Sequence, residues 1–318
     1  MGNVHLENFP KNKHNSPMPP KRQTAEKVYY FDKSSFQLSV RRVETDARKS
    51  PSHPHDLTEQ KHRHDFCELV IVSQGSAMHW LEGSEFPVTA GDVFLLQGNQ
   101  SHYFHDRKNL SLINVMYDPE QISLPENELR RLPGYCAVFM LEPAYRHSHR
   151  FASRLHLGRV QLAHTEQIAD EMEQECRQKA AGYEAALRAK LIELIVYLSR
   201  QYNSAETTEA HALLRVGSVI GALENDFSKD WHLEELQKIA HMSRSNLMRV
   251  FRKATGQTPI EYLIRLRIQQ AMELLRTTNH SITEIAFQTG FNDSNYFSRQ
   301  FKRICNVAPS TFRQRYQS

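Results

Sequence analysis

SITEIAFQTGFNDSNYFSRQFKRICNVAPSTFRQRY, residues 281–316, decides how the C-terminal third is read. A short helix with apolar Ile282 and Ile285 runs into Gly290-Phe291-Asn292-Asp293, and a second helix follows. Gly290 is suited to the positive φ that ends a helix, and Asn292 or Asp293 can cap the next one. The same grammar occurs once before in the chain. Leu233-Glu-Glu-Leu236 recurs as Ile282-Thr-Glu-Ile285 at a shift of 49, and beyond the turn the shift becomes 50. At that second shift Leu247 matches Phe297, Phe251 matches Phe301 and Pro259 matches Pro309. The earlier turn is His241-Met242-Ser243, with Ser243 placed to cap. The repeat therefore predicts two helix-turn-helix units.

The second helix of each unit is predicted to have two faces. Leu247, Val250 and Phe251 point inward in the first, leaving Arg244, Ser245, Asn246, Arg249, Arg252 and Lys253 outside. In the second, Tyr296, Phe297, Phe301 and Ile304 point inward, leaving Asp293, Ser294, Asn295, Ser298, Arg299, Lys302 and Arg303 outside. Three basic positions repeat: Arg249 with Arg299, Arg252 with Lys302, Lys253 with Arg303. Repeated cations beside Asn and Ser suit phosphate anchoring combined with contacts to base edges. Between the units, residues 259–276 read as one unbroken helix, about 27 Å long at 1.5 Å per residue. A strut of that length can hold two reading helices about one DNA turn apart, roughly 34 Å.

Charge follows the same division. The chain has 318 residues and a net charge of +4, yet residues 211–318 carry 15 Lys+Arg against 9 Asp+Glu. A polyanion should therefore meet the C-terminal third. No stretch of about 18 apolar residues exists to span a bilayer, and residues 1–20 lack the apolar core of a secretion signal. Cys67, Cys136, Cys176 and Cys305 lie far apart without a CxxC pair, which suits reduced thiols and a cytoplasmic location. P-loop, GxGxxG, G-x-S-x-G and HExxH motifs are absent, which weakens nucleotide-binding and hydrolase readings.

The quoted stretch resembles the signature region of the AraC/XylS family of bacterial transcription regulators. Its I-A, G-F, Y-F, F-K and P-x-x-[FY]-R landmarks stand in order within residues 212–318. Asp293-Ser294-Asn295 is especially similar to the rhamnose-responsive activators of that family. The resemblance implies base contacts by Asp293, Asn295 and Arg249. It also implies a carboxylate presented by Glu284 to the sigma subunit of RNA polymerase.

Residues 28–116 alternate short β-branched and aromatic runs with turn residues. Candidate strands are 28–31, 36–40, 66–72, 77–81, 85–88, 92–96, 102–104 and 110–116. Gln74-Gly75, Glu82-Gly83, Ala90-Gly91 and Gly98-Asn99 are candidate tight turns. This argues for a small antiparallel barrel or jelly roll. Within it, His62-x-His64-x3-Glu68-x6-Gly75, then Pro87-x3-Gly91 and His102, matches cupin motifs. Metal cupins gather such imidazoles and a carboxylate on one divalent ion, but the sensor domains of the AraC/XylS family mostly use the barrel mouth for a small molecule. The expectation is a ligand site without a cofactor, a divalent metal being the less favoured reading. His62, His64, Glu68, His79, Trp80 and His102 are its candidate residues, whereas His53 and His55 fall in a Pro-rich turn.

Pro119, Pro125, Pro133 and Pro143 argue for loop with some strand over 117–160. From Gln161 helical periodicity takes over: Leu162, Ile168, Met172 and Cys176 trace one face. Ala186, Leu187, Lys190, Leu191, Leu194, Ile195 and Leu198 trace a second, suited to the barrel or to a second copy of the chain.

The expected architecture is α+β and multidomain. Residues 1–27 form a flexible arm, 28–160 a cupin-like ligand-sensing barrel and 161–204 appended helices for dimerisation. Residues 205–211 are a linker, and 212–318 an all-α double helix-turn-helix domain. The expected function is a sugar-responsive, DNA-binding transcription activator, homodimeric and not an enzyme, with double-stranded DNA and RNA polymerase as partners and no membrane. Rhamnose or a related sugar is the effector that the resemblance implies. A metal-dependent cupin enzyme tethered to DNA and a ligand-blind DNA-binding protein are the alternatives.

Overall fold

The computed structural model describes residues 23–25, 31, 36–44, 61–146, 152–203 and 207–316. The candidate strand 28–31 lies outside them except for Phe31, as do His53 and His55. Strands β1 (Gln23–Ala25), β2 (Leu38–Glu44), β3 (His62–His64), β4 (Cys67–Leu81), β5 (Ser84–Thr89), β6 (Asp92–Leu96), β7 (His102–Tyr117) and β8 (Leu155–His156) form one eight-stranded sheet. The antiparallel β4–β7 pair is its spine, with Glu68 opposite Met116 and Leu81 opposite His102. The first half of β4 also pairs with β6 and its second half with β5. β2 lies along the end of β7, and β3 meets the start of β7 where His62 faces His102.

Side chains from β5 and β6 nevertheless meet in one cluster, so the sheet curls over itself in a cupin-like manner. Val70, Val72, Ala77, Leu81, Phe86, Val88, Phe94, Leu96 and Leu112 fill that interior. The alternate residues Leu69, Ile71, Val93, Leu95, Ile113 and Val115 face outward into a second core that includes helical residues. Both faces of this part of the sheet are covered, which is why 69–72 is an unbroken apolar run and does not alternate.

Four sequence expectations change here. Segments 66–72 and 77–81 are one strand, because Gly75 (φ +74°) opens a bulge in place of a turn, with register shifts between Val72 and Met78. A Cβ on Gly75 would lie 2.2 Å from the Asn109 carbonyl oxygen, so only glycine fits. Segments 102–104 and 110–116 likewise join as β7, with Asp106 and Asn109 at positive φ absorbing the irregularity. Gln23–Ala25, inside the expected arm, pairs in parallel with β3.

The fourth change concerns 117–160, where short helices replace much of the expected loop and strand. Helices α1 (Glu126–Leu129), α2 (Pro133–Tyr135) and α3 (Glu142–Tyr145) flank a π-helical stretch at Cys136–Leu141. Pro133 and Pro143 sit in first turns, where proline's missing N–H costs nothing. Helices α4 (Arg159–Gln178) and α5 (Tyr183–Tyr202) form the expected antiparallel pair, turning through Lys179 and Gly182 at positive φ. The stripe Leu187, Leu191, Leu194, Ile195 and Leu198 is buried within the chain itself. It packs on the sensor of its own chain, one of the two placements its pattern allows. A Cβ on Gly134 would fall 1.9 Å from the Ser199 carbonyl oxygen, a measure of how closely α2 lies on α5.

The remainder is helical: α6 (Thr208–Asn225), α7 (Leu233–Ala240), α8 (Arg244–Thr255), α9 (Pro259–Thr277), α10 (Ile282–Gln288), α11 (Ser294–Cys305) and α12 (Pro309–Tyr316). Thr207 caps α6, so the helix starts inside the segment expected to be linker. Helix α9 begins with a capping box, Thr258 with Glu261, and Pro259 at its first position. Its 19 residues extend about 28 Å. One face of α9 (Tyr262, Leu263) joins the core around α6–α8; the other (Ile268, Ala271, Leu275) joins the core around α10–α12.

Candidate functional site

In the first reading unit, α7 ends at His241 in the left-handed region (φ +50°), and Ser243 Oγ accepts from Asn246 N to start α8. Leu247, Val250 and Phe251 are buried, which fixes the roll of α8 about its axis. Arg244, Ser245, Arg249, Arg252 and Lys253 are exposed, and Asn246 is half-buried. Arg249 Nη2 donates to Asn246 Oδ1 at 2.8 Å, which holds the guanidinium along the helix. The far end of α8 touches the sensor: the Tyr145 hydroxyl donates to the Val250 carbonyl, and Lys253 Nζ lies 4.6 Å from the Tyr145 ring centroid.

The second unit repeats this arrangement. Gly290 takes φ +85°, and a Cβ there would meet the Ser228 carbonyl oxygen at 2.6 Å. Asp293 is the cap, its Oδ1 accepting from Tyr296 N at 2.6 Å. Asp293, Asn295, Arg299, Lys302 and Arg303 are exposed; Ser294 and Ser298 are half-buried. Tyr296 departs from expectation at 38% exposure, because Phe291 and Phe297 occupy the inner side and leave the tyrosine beside Arg299. Each reading helix carries two cations in its last turn, Arg252 with Lys253 and Lys302 with Arg303, where the helix dipole favours them. Glu284 is exposed, but its carboxylate closes a capping box by accepting from Ser281 N at 2.7 Å, and that bond lowers its pKa.

Inside the curled sheet, β3, β4 and β7 bring a polar cluster into an apolar interior. His64 (1% exposed), Glu68 (6%), His79 (0%) and His102 (2%) point into it, and half-buried His62 stands with its ring centroid 4.3 Å from that of His102. Glu68 Oε2 lies 3.1 Å from His64 Nε2 and 3.6 Å from His102 Nε2. His64 Nδ1 is 2.8 Å from the Phe66 carbonyl oxygen and must donate to it. His79 is stacked between Phe94 and Phe104, with centroids at 5.1 and 4.4 Å. Both nitrogens of His79 and of His102, and Glu68 Oε2, lack a hydrogen-bond partner. Burial, reinforced for His79 by Arg146 and for His102 by neighbouring imidazoles, holds both well below the ordinary histidine pKa.

Trp80 does not join this cluster. Side chains alternate along a strand, so with His79 inward Trp80 faces out, stacked on Tyr103 with Lys61 Nζ 3.8 Å from its ring centroid.

Sequence reasoning missed the contacts between sensor and reader. A cleft of about 890 Å³ lies between them, its walls including Cys67, Tyr117, Tyr135, Gln257 and Tyr262. Beside it the Tyr262 hydroxyl donates to Glu224, which lies 3.9 Å from Arg130. Burial raises the Glu224 pKa and, with Asp118, pushes the Cys67 thiol up to about 11. The buried Glu142–Arg146 ion pair, in which Arg146 also donates to the Leu95 carbonyl at 2.8 Å, ties α3 to β6. The i, i+4 spacing of that pair was the one local signal available.

Comparisons with known proteins agree with this division of labour. Residues 236–315 match a helix-turn-helix domain family, and residues 47–195 match the AraC-like ligand binding domain. The HTH-type transcriptional activator RhaR of Klebsiella pneumoniae subsp. pneumoniae is 31% identical over 258 residues, 80% of this chain and 87% of that protein. The HTH-type transcriptional activator RhaS of Klebsiella pneumoniae is 30% identical, again over 80% and 87%. Among solved structures, the DNA-binding domain of AdpA in complex with a target DNA is 30% identical, covering 32% of this chain and 93% of that one at a TM-score of 0.32. The chain belongs to the AraC-type family of helix-turn-helix transcriptional regulators.

Proposed function

We propose that the chain is a transcription activator whose DNA affinity is set by a small carbohydrate, rhamnose or a related deoxysugar, held inside the curled sheet. The observation that carries this reading is that both nitrogens of His79 and of His102, together with His64 Nε2 and Glu68 Oε2, lie buried without hydrogen-bond partners in an otherwise apolar interior. Unpaired buried polar groups are costly, and sugar hydroxyls both donate and accept, so an effector would satisfy them. His64, Glu68, His79 and His102 are its contacts, with His62 at the edge.

On the reader, Arg244, Ser245, Asn246, Arg249 and Arg252 of α8 would address one major groove. Asp293, Ser294, Asn295, Ser298, Arg299, Lys302 and Arg303 of α11 would address the next. Lys253 would serve DNA only once released from Tyr145, which gives the sensor a hold on the first reading helix. Coupling requires that the effector favour one arrangement of sensor and reader over the other. A homodimer would place four such helices on adjacent half-sites. The setting is the cytoplasm, consistent with the absence, among the described residues, of any helix long and apolar enough to cross a membrane. The role is regulatory, not catalytic.

Glu284 would contact the sigma subunit. Because glutamine also completes a capping box, Glu284→Gln should keep α10 and DNA affinity intact while lowering activation. The deciding experiment is operator binding by the full chain across a panel of monosaccharides. One sugar should raise affinity, and His79→Ala should remove the response without changing basal binding. Identical affinity with every sugar would refute the reading.

A further inference from the structure

We propose that the cleft between sensor and reader is a second ligand site, distinct from the effector interior, which takes a lipophilic organic cation with an aromatic body. Cys67 and Glu68 are neighbours on β4, and side chains alternate along a strand. Glu68 enters the interior, so Cys67 faces the cleft. Leu95 and Leu96 on β6 divide in the same way, Leu96 packing inside and Leu95 lining the cleft. The two sites therefore lie on opposite sides of one sheet. At about 890 Å³ the cleft has the volume of a site for a drug-sized molecule.

Three observations fix the chemistry of the occupant. The first is the wall: Tyr117, Tyr135, Phe139 and Tyr262 line the cleft, and the rings of Tyr135 and Phe139 stack with centroids 5.2 Å apart. The faces of aromatic rings attract cations. The second is charge. Glu120 and Glu126 line the cleft, and Arg130 is the only basic residue that does so among the described residues. Its guanidinium is already engaged: Nε and Nη2 donate to Glu126 Oε2 at 3.1 and 3.0 Å, and Nη1 lies 3.9 Å from Glu224. The balance is negative, and the wall registers it. Burial and then Asp118 raise the pKa of the Cys67 thiol; burial and then Glu126 raise that of the Tyr135 phenol.

The third observation is the end of a reading helix. Ala254 and Thr255, the last residues of α8, line the cleft, which sets the negative end of that helix's dipole against it. Gln257, just beyond, lines it too, and its side-chain oxygen is buried without a partner, an acceptor for an N–H of the occupant. An anion would meet carboxylates, ring faces and a helix C-terminus, with one guanidinium already paired. A cation is favoured by each of them. Cys67, Tyr117 and Tyr135 belong to the sensor, whereas Ala254, Gln257 and Tyr262 belong to the reader, so an occupant touches both and stabilises the arrangement that forms the cleft. It would act on the first reading helix independently of any sugar.

The test titrates the full-length chain into rhodamine 6G, a cationic xanthene dye, and follows fluorescence anisotropy; fluorescein, an anion on the same ring system, is the counterpart. One rhodamine should bind per chain, fluorescein should neither bind nor compete, and calorimetry should show a raised melting temperature. Glu126→Gln, which also frees Arg130, should weaken binding about tenfold or more. Ser123→Trp, which fills the cleft from an exposed position, should block it. Glu128→Gln, exposed on α1 but outside the cleft, should leave it unchanged. Should Glu126→Gln fail to fold, Ser123→Trp and the comparison of the two dyes decide. An absence of saturable binding, equal binding of fluorescein, or binding that survives both Glu126→Gln and Ser123→Trp would each overturn the site. A chain that binds the cation yet ignores every sugar keeps this site and refutes the effector reading. A chain that answers sugar yet binds no cation does the reverse.

Discussion

Replacing Arg249 by alanine perturbs the reading helix without touching its core. Arg249 is exposed, while Leu247, Val250 and Phe251 hold α8 in place, so folding stability should change by less than about 0.5 kcal/mol. In the free protein the guanidinium is already tethered to Asn246 one turn away, which lowers the entropy lost on docking. A bidentate contact to a base edge is worth about 1–3 kcal/mol, so operator affinity should fall about 5- to 150-fold. The assay is fluorescence anisotropy with a labelled operator and a scrambled duplex of equal length at fixed salt. Scrambled duplex should lose far less affinity, since only the phosphate share of the interaction is common to both. Equal losses on the two duplexes would refute base reading by Arg249.

Lys302→Ala should weaken binding to both duplexes and flatten the plot of log affinity against log salt by about one unit; an unchanged slope would remove Lys302 from the phosphate contacts. Leu194→Ala empties a fully buried position and should cost about 2–5 kcal/mol in a denaturant titration, with the monomer–dimer equilibrium of the folded chain unaltered. Dissociation without destabilisation would instead place that stripe between copies. Cys67 should alkylate slowly at pH 8. The thiolate is the reactive form, and a thiol raised from 9.0 to about 11 holds about a hundredth of the ordinary thiolate at that pH. Its rate should climb as pH approaches 11, and the reactivity of a free thiol at pH 8 would contradict a desolvated Cys67 in the cleft wall.

Much of the reader was legible because its determinants are local. Ser243, Gly290 and Asp293 signal caps and turns through chemistry that acts within four residues. Tyr296 was misplaced because it borders the apolar stripe, and the packing of Phe291 on Phe297 decides which neighbour goes inside. In the sensor, the spacing of His62, His64, Glu68 and His102 announced the polar cluster. Trp80 was wrong by a single residue of strand alternation. Gly75 reads equally well as turn or bulge until Asn109 of β7 is known to press against it. The prolines of 117–160 were read as helix breakers, whereas Pro133 and Pro143 start helical turns. The contacts of Tyr145 with Val250 and of Tyr262 with Glu224 join residues 105 and 38 apart, and no local pattern encodes them.

The relation between α8, α9 and α11 is tested most directly by changing the DNA. Half a helical turn, about 5 base pairs, is inserted between the two major-groove segments protected by one chain, and affinity is compared with the parent site. A stiff strut cannot follow that rotation, so affinity should drop to that of a site with one segment scrambled, and a full-turn insertion of about 10 base pairs should not restore it. Undiminished binding to the half-turn variant would contradict simultaneous reading of consecutive grooves by the two helices.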